Sequence, residues 1–365
     1  MRWDSQATTA DDGALPGLER PGLARLGLVR SVRTPEFAGV TFHEVLAKSA
    51  LSKVPAASRM PFRWTINPYR GCSHACLYCF ARPTHEYLDL DAGADFDSQV
   101  VVKTNVDQVL RAELARPSWR REPVALGTNT DPYQRAEGRY RLMPGIITAL
   151  ADARTPFSIL TKGTLLRRDL PLIADAADRV EVGLGVSLSF ADVELQQSVE
   201  PGTPTPKARL DLVRAIRAAG LPCGVMVAPV LPWLTDSTDH LTRLLDAIAH
   251  AGATGVTVVP LRLKPGTRDW YLRWLAREHP ERVAGYHRVF ARGADAHDGY
   301  RDWLWQRVRP LLEERGFAGS GHRAASGATG RYDDDLRPHG DADYPAGSMV
   351  VAAPAGEPGS AATLF

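Results

Sequence analysis

From Pro61 onward, short apolar and β-branched runs alternate with stretches whose apolar positions recur at helical spacing. Phe62–Asn67 reads as a strand that runs into a cysteine loop. Val124–Thr128, Phe157–Lys162, Val180–Ser189, Cys223–Leu231 and Gly255–Leu263 read as five more. Helical patterning fills the intervals near Asn105–Ala115, Pro144–Ala153, Leu165–Ala177, Pro206–Ala219 and Thr238–Ala251. Strands separated by helices predict an α/β fold with a parallel sheet of βαβ units. The count suits a partial (β/α)6 TIM-like barrel better than a closed eightfold one, with a doubly wound sheet as the alternative.

In Val180–Ser189 the residues Val180, Val182, Leu184, Val186 and Leu188 share one face, and Glu181, Gly183, Gly185, Ser187 and Ser189 the other. The apolar face is expected under helices, and the small polar face is expected to line a lumen with room for a ligand. Before Pro61 the periodicity is weak, and a short helix is expected over Phe42–Ser52. After Leu263 two Trp-rich helical stretches, DWYLRWLAREH and YRDWLWQRVRPLLEERG, are expected to cap the barrel by packing rather than to stack on bases. From His322 the composition turns to Gly, Ala, Asp and Pro without periodicity. The expected organisation is an N-terminal extension over 1–60, a core barrel over 61–265, a helical cap over 266–320 and a disordered tail over 321–365.

Composition adds limits. Hydrophobic residues at 44% and charged residues at 24% are ordinary for a soluble globular chain. The sequence has no apolar run of ~18 residues and no apolar signal-peptide core after MRWDSQATTADDG, so a cytoplasmic location without membrane contact is expected. A net charge of +2 says little about partners. Of 44 basic residues six are lysine, which leaves 38 arginines. Arg111, Arg116, Arg120 and Arg121 are therefore read as a solvated surface before a nucleic-acid footprint.

Three of the four cysteines lie within eight residues, as Cys72-x3-Cys76-x2-Cys79. That spacing is no disulfide framework; in an intracellular protein it points to metal or redox chemistry. Three thiolates on one short loop can take three corners of a [4Fe–4S] cubane and leave the fourth iron open. An open iron can chelate the amino and carboxylate groups of S-adenosylmethionine (SAM) and pass an electron to its sulfonium. The alternative is a zinc site completed by His74 or His85, although zinc ligands are usually spaced as two separate pairs. A passive cluster would want a fourth cysteine nearby.

The loop, with Tyr78 before the third cysteine, resembles the signature of the radical SAM superfamily. Together with NPYRGCSHACLYCFAR, GTNTDPYQ, ILTKGTLLRRDL, SVEPGTPTPKARL and APVLP, it resembles the subgroup related to spore photoproduct lyase, in an actinobacterial branch, over about residues 40–315. The resemblance implies a radical SAM barrel in which Tyr78 touches the SAM adenine. It places the amino group at the end of the second strand, where Thr128, Thr130 and Asp131 lie. An Asp-Pro turn is the competing reading of Asp131. Lys162 is a candidate for the SAM carboxylate or substrate, Ser187 for the ribose, and Glu200 and Arg209 for closing over the cofactor or forming a structural ion pair. Cys223 is expected to be a buried structural residue. Spore photoproduct lyase uses a hydrogen-donating cysteine between the cluster loop and the middle of the barrel. No cysteine lies between Cys79 and Cys223 here, so the donor is expected to be Tyr133 or regenerated 5′-deoxyadenosine.

The resulting expectation is a monomeric or weakly dimeric enzyme that cleaves SAM to a 5′-deoxyadenosyl radical. By resemblance it acts on a nucleic acid or nucleotide and takes its electron from a donor such as flavodoxin or ferredoxin. The terminal Leu364–Phe365 faintly resembles a sliding-clamp docking peptide, without the expected Gln. The rival from another class is a non-catalytic zinc or passive Fe–S module of a nucleic-acid-binding protein.

Overall fold

The computed structural model describes residues 21–55, 60 and 62–317. The expected disordered tail, with Leu364 and Phe365, lies outside the described residues. The chain divides into two compact units. One takes the described residues up to Val182 together with Pro201–Thr203; the other takes Gly183–Glu200 and the residues from Pro204 onward.

The first unit contains β1 (Leu28–Arg33), β2 (Thr41–Val45), β3 (Leu51–Lys53), β4 (Trp64–Ile66), β5 (Tyr69–Arg70), β6 (Gln99–Lys103), β7 (Val124–Leu126) and β8 (Phe157–Thr161). β4, β7 and β8 are parallel neighbours, and β3 pairs antiparallel with β4. A separate four-stranded sheet runs β1-β2-β6-β5. β2 lies antiparallel to β1 and parallel to β6, and β5 is antiparallel to β6. The N-terminal segment is thereby knit into the part of the chain that carries the cysteines. In the second unit β9 (Val182–Ser187), β10 (Gly224–Val230) and β11 (Gly255–Pro260) are parallel neighbours.

The strands expected from the sequence all form, one to four residues shorter than the apolar runs that announced them. The helices over Val106–Leu114, Leu142–Asp152, Pro206–Ala218 and Thr238–His250 also form. That over Leu165–Ala177 starts with a 3-10 turn, Thr164–Asp169, before the α-helix Leu170–Ala177. Two starts are marked by caps. The Thr205 hydroxyl accepts from the Ala208 N–H at 3.3 Å, with Pro206 as the first helical residue, and the Ser237 hydroxyl accepts from the His240 N–H at 3.1 Å. Among the described residues no helix is long and apolar enough to cross a membrane.

One expectation fails. Residues Phe42–Ser52 form no helix; they form β2, a turn and β3. β2 is covered on both faces. Phe42 packs with Tyr69, Val100 and Val102, and Val45 with Val101, Leu23, Leu88 and Leu90. A central strand buried on both faces has no alternating pattern to betray it, so pairing decides where local periodicity cannot.

β9 is buried at every position, so its Gly and Ser positions are as enclosed as its valines, while Glu181 precedes the strand and is exposed. The Trp-rich stretches form the helices Thr267–Glu278 and Asp298–Glu314. Trp274 is buried and donates to the Ser198 hydroxyl at 2.9 Å; Trp303 is buried beneath the Arg307 guanidinium at 4.1 Å. Both are packing residues, as expected.

The turn between β2 and β3 depends on Glu113. Its carboxylate accepts from the Ser49 hydroxyl at 2.7 Å and from the Ala50 and Leu51 N–H groups at 3.0 and 2.9 Å. Glu113→Ala strands these donors and should cost about 1–3 kcal/mol, read as a lower urea midpoint at unchanged slope.

Candidate cofactor site

β5 leads directly into the cysteine loop. The Cys72 N–H donates to the Phe96 carbonyl at 2.9 Å, the Ala75 N–H to the Cys72 carbonyl at 3.1 Å and the Cys79 N–H to the Cys76 carbonyl at 3.2 Å. Two buried side chains that no motif singles out hold this coil. Arg82 has no exposed surface. Its Nε donates to the Cys76 carbonyl at 3.0 Å, Nη1 to the Gly93 carbonyl at 2.7 Å, and Nη2 to the two Asp97 oxygens at 2.9 and 3.0 Å. Gln134, equally buried, donates through Nε2 to the Gly71 carbonyl at 3.0 Å and accepts the Ser73 N–H on Oε1 at 3.0 Å.

Asp131 ties the cysteine loop to the ends of two parallel strands. Oδ1 accepts from the Tyr133 N–H at 2.8 Å and the Thr161 hydroxyl at 2.5 Å. Oδ2 accepts from the Lys162 N–H at 2.6 Å and lies 3.4 Å from Nδ1 of the buried His74. Burial alone would raise this carboxyl, but His74 and the donors outweigh it and hold the group at about 2. Burial likewise opposes the charge on His74, while Cys72 and Asp131 bring the imidazole to about 9. Asp131 thus accepts three hydrogen bonds and faces the His74 imidazole as an ion pair, an arrangement that matches the Asp-Pro turn.

Of the other expected contacts, Thr128 exchanges hydrogen bonds with the Asn67 side chain at 3.4 Å, and the Thr130 hydroxyl donates to the Tyr69 carbonyl at 3.1 Å. Lys162 places its ammonium 5.7 Å from the centre of the Tyr78 ring, so two expected cofactor residues meet. Gly202, from the EPGTP run, donates its N–H to the His74 carbonyl at 3.1 Å. A Cβ there would lie 2.0 Å from the Ser73 carbonyl oxygen, so only glycine allows this approach. Gly127, at φ +92°, does the same between the end of β7 and the Leu160 carbonyl.

In the second unit Ser187, Glu200 and Arg209 come together. Arg209 and Glu200 are fully buried and paired through Nη2; Nη1 donates to the Ser187 carbonyl at 3.1 Å and Nε to the Pro204 carbonyl at 2.9 Å. The Ser187 hydroxyl donates to the Ala228 carbonyl at 3.4 Å. Glu200 and Arg209 are therefore the structural ion pair, a correction to the expectation that they close over a cofactor. Tyr133 is corrected too. It is 1% exposed and its hydroxyl donates to Asp169 at 3.1 Å, inside a network with Arg168, Glu137 and Tyr69. A substrate cannot reach that oxygen. Cys223 is fully buried, and burial pushes its thiol up to about 12, as suits a structural cysteine.

The loop fits an iron–sulfur cubane. Cys72, Cys76 and Cys79 form no disulfide, and burial raises the thiol of Cys79 to about 11, a proton that a bound metal would draw out. Three thiolates on one short loop are the donor set for three corners of a cubane. His74 is turned to Asp131. His85 is turned to the Gln99 carbonyl at 2.8 Å, with its ring on Phe96.

Residues 66–248, half of the chain, match the radical SAM superfamily. An uncharacterized protein of Mycobacterium tuberculosis is 65% identical over 330 residues, covering 89% of this chain and 95% of its own length. Among solved structures, spore photoproduct lyase complexed with dinucleoside spore photoproduct is 15% identical, covers 76% of this chain and 80% of its own, and has a TM-score of 0.57. A mutant of that enzyme with AdoMet and the dinucleoside bound covers the same shares at 14% identity, also with a TM-score of 0.57. The chain belongs to the radical SAM superfamily. Its fold is the radical SAM fold of mixed α/β type, similar to that of spore photoproduct lyase.

Asp131→Asn should lower stability by about 3–5 kcal/mol at neutral pH, since a buried imidazolium loses its counter-charge. The folded-state value of about 2 lies below the ordinary 3.8, so the carboxylate's contribution holds at neutral pH and is lost as pH falls through that window. Denaturant titrations of both proteins should therefore converge as pH drops toward about 2.

Proposed function

We propose that the chain is a radical SAM enzyme that holds a [4Fe–4S] cluster on Cys72, Cys76 and Cys79 and cleaves SAM reductively to methionine and a 5′-deoxyadenosyl radical. The observation that carries this reading is the three-thiol loop, fixed by Arg82 and Gln134, in a chain of this superfamily. When bound, the cluster supplies one electron to the sulfonium. The protein's part is to orient the cosubstrate and exclude water from it. Tyr78 offers an aromatic face for the adenine. Lys162 offers a cation for the carboxylate, and Thr128, Thr130 and Asp131 offer acceptors for the ammonium. Ser187 is the candidate for the ribose.

For the substrate we take a nucleic acid or nucleotide, following the likeness of fold to an enzyme solved with a dinucleoside photoproduct. The reaction is a separate matter, because a shared fold does not carry chemistry with it. The radical is expected to abstract hydrogen from the substrate. With Cys223 and Tyr133 buried, regenerated 5′-deoxyadenosine is the donor we favour for any returned hydrogen. A flavodoxin or ferredoxin would supply the electron in a cytoplasmic setting.

Anaerobic reconstitution with iron and sulfide should give a brown protein absorbing near ~400 nm. With dithionite and SAM it should form 5′-deoxyadenosine, detected by chromatography. Cys72→Ala, Cys76→Ala and Cys79→Ala should each abolish product. A colourless protein that retains zinc and never cleaves SAM would overturn the reading in favour of a binding module.

A further inference from the structure

Two cations on the four-stranded sheet take no part in holding the cysteine loop. β5 and β6 are antiparallel, with Tyr69 opposite Val102 and Arg70 opposite Val101. Side chains alternate along a strand, so Arg70 and Lys103 lie diagonally on one face. Tyr69, Val100 and Val102 fill the apolar cluster on the other face. Both cations are half-buried. Lys103 is brought down to about 8, by burial first and by the Arg70 charge second.

Among the described residues neither side chain has a hydrogen-bond or ion-pair partner. The carboxylate that acts on Lys103 is Glu113, whose oxygens are already bonded to Ser49, Ala50 and Leu51. The groups that share the surroundings of Arg70 do not neutralise it. His85 is itself held down by burial and then by Arg70, and its Nε2 bonds the Gln99 carbonyl at 2.8 Å. His43 bonds the Ser31 hydroxyl and the Gln99 side chain, both at 2.8 Å.

Two charges of like sign within Coulomb reach oppose one another. An anion between them relieves that repulsion. A guanidinium fork beside an ammonium point charge matches a phosphate group, which takes paired N–H donors from arginine and a compact charge from lysine. Arg70 ends β5, two residues before Cys72.

We propose that Arg70 and Lys103 form a phosphate-binding site that receives a phosphate group of the substrate. The anion site stands on this geometry alone; its assignment to the substrate rests on the nucleic acid or nucleotide reading.

The test uses the full chain, reconstituted with its cluster, at constant ionic strength with chloride as the reference anion. Inorganic phosphate should raise the unfolding temperature above that in chloride. The increment should vanish in Arg70→Gln and Lys103→Met and persist in Lys103→Arg. Lys103→Met removes an uncompensated buried charge, so in chloride it should unfold no earlier than the wild type, which separates lost binding from lost folding. Equal phosphate increments in the wild type and both neutralised variants, or no increment at all, overturn the site.

A nucleoside 5′-monophosphate and a hydroxyl-ended oligonucleotide, titrated in parallel, separate a terminal phosphate from a backbone diester. Whichever binds should weaken about tenfold or more in the variants. If inorganic phosphate discriminates the variants while both nucleotides bind them as they bind the wild type, the assignment to substrate is overturned and the site holds free phosphate. SAM cleavage by the wild type, assayed separately, reports on the radical reading independently of either result.

Discussion

The carboxylate of Asp131 is the point on which the candidate site turns. It gathers a backbone N–H from its own turn, a hydroxyl and an N–H from the end of β8, and the imidazole of His74 from between the first two cysteines. Three segments far apart in sequence are thus referred to one buried charge. A buried charge held by several donors tolerates little displacement of any of them, because each lost donor exposes it to the cost of desolvation. The loops after β7 and β8 and the cysteine loop are therefore positioned as one body. A cofactor chelated by one of these loops and touched by the others requires that arrangement.

Around this charge, backbone contact does what side chains cannot. Gly202 and Gly127 bring main chain against main chain at separations that would put a methyl group 2.0 Å from a carbonyl oxygen. Arg82 and Gln134 then satisfy the carbonyls and N–H groups that a coiled, sheetless loop would otherwise bury without partners. These two side chains fix the backbone of the loop from outside it, so its course does not depend on the thiols alone.

The parts of this arrangement differ in how far the sequence discloses them. The parallel strands and their helices were legible, because apolar runs punctuated by helical periodicity are a local signal. The cysteines were legible because their chemistry lies in their spacing. β2 was not: its burial on both faces erases alternation, and its partners, β1 and β6, lie on either side of it in sequence, β6 more than fifty residues away. The letters TDPYQ show an acceptor at Asp131, whereas only the fold shows the three donors and the imidazole gathered on it. Glu200 and Arg209 suffered the same ambiguity, and complete burial settles them as a structural pair. Arg82 and Lys103 were invisible for opposite reasons. In a chain with 38 arginines one more carries no information, and a lysine matters here only because its neighbours leave it unpaired.

The economy of hydrogen in the proposed reaction follows from these same burials. A protein-borne donor must present an X–H bond to the substrate radical. Outside the cysteine loop the chain has one thiol, Cys223, fully buried with its ionisation suppressed to about 12. Tyr133, beside the site in sequence, is committed through its hydroxyl to Asp169, and the neighbouring Arg168 joins that carboxylate to Glu137 and Tyr69. Withdrawing Tyr133 toward a substrate would take one donor from the buried Asp169, leave its charge to Arg168 alone and loosen the network next to the Asp131 turn. With Cys223 and Tyr133 both structural, hydrogen return in the proposed reaction, where it is called for, is left to regenerated 5′-deoxyadenosine.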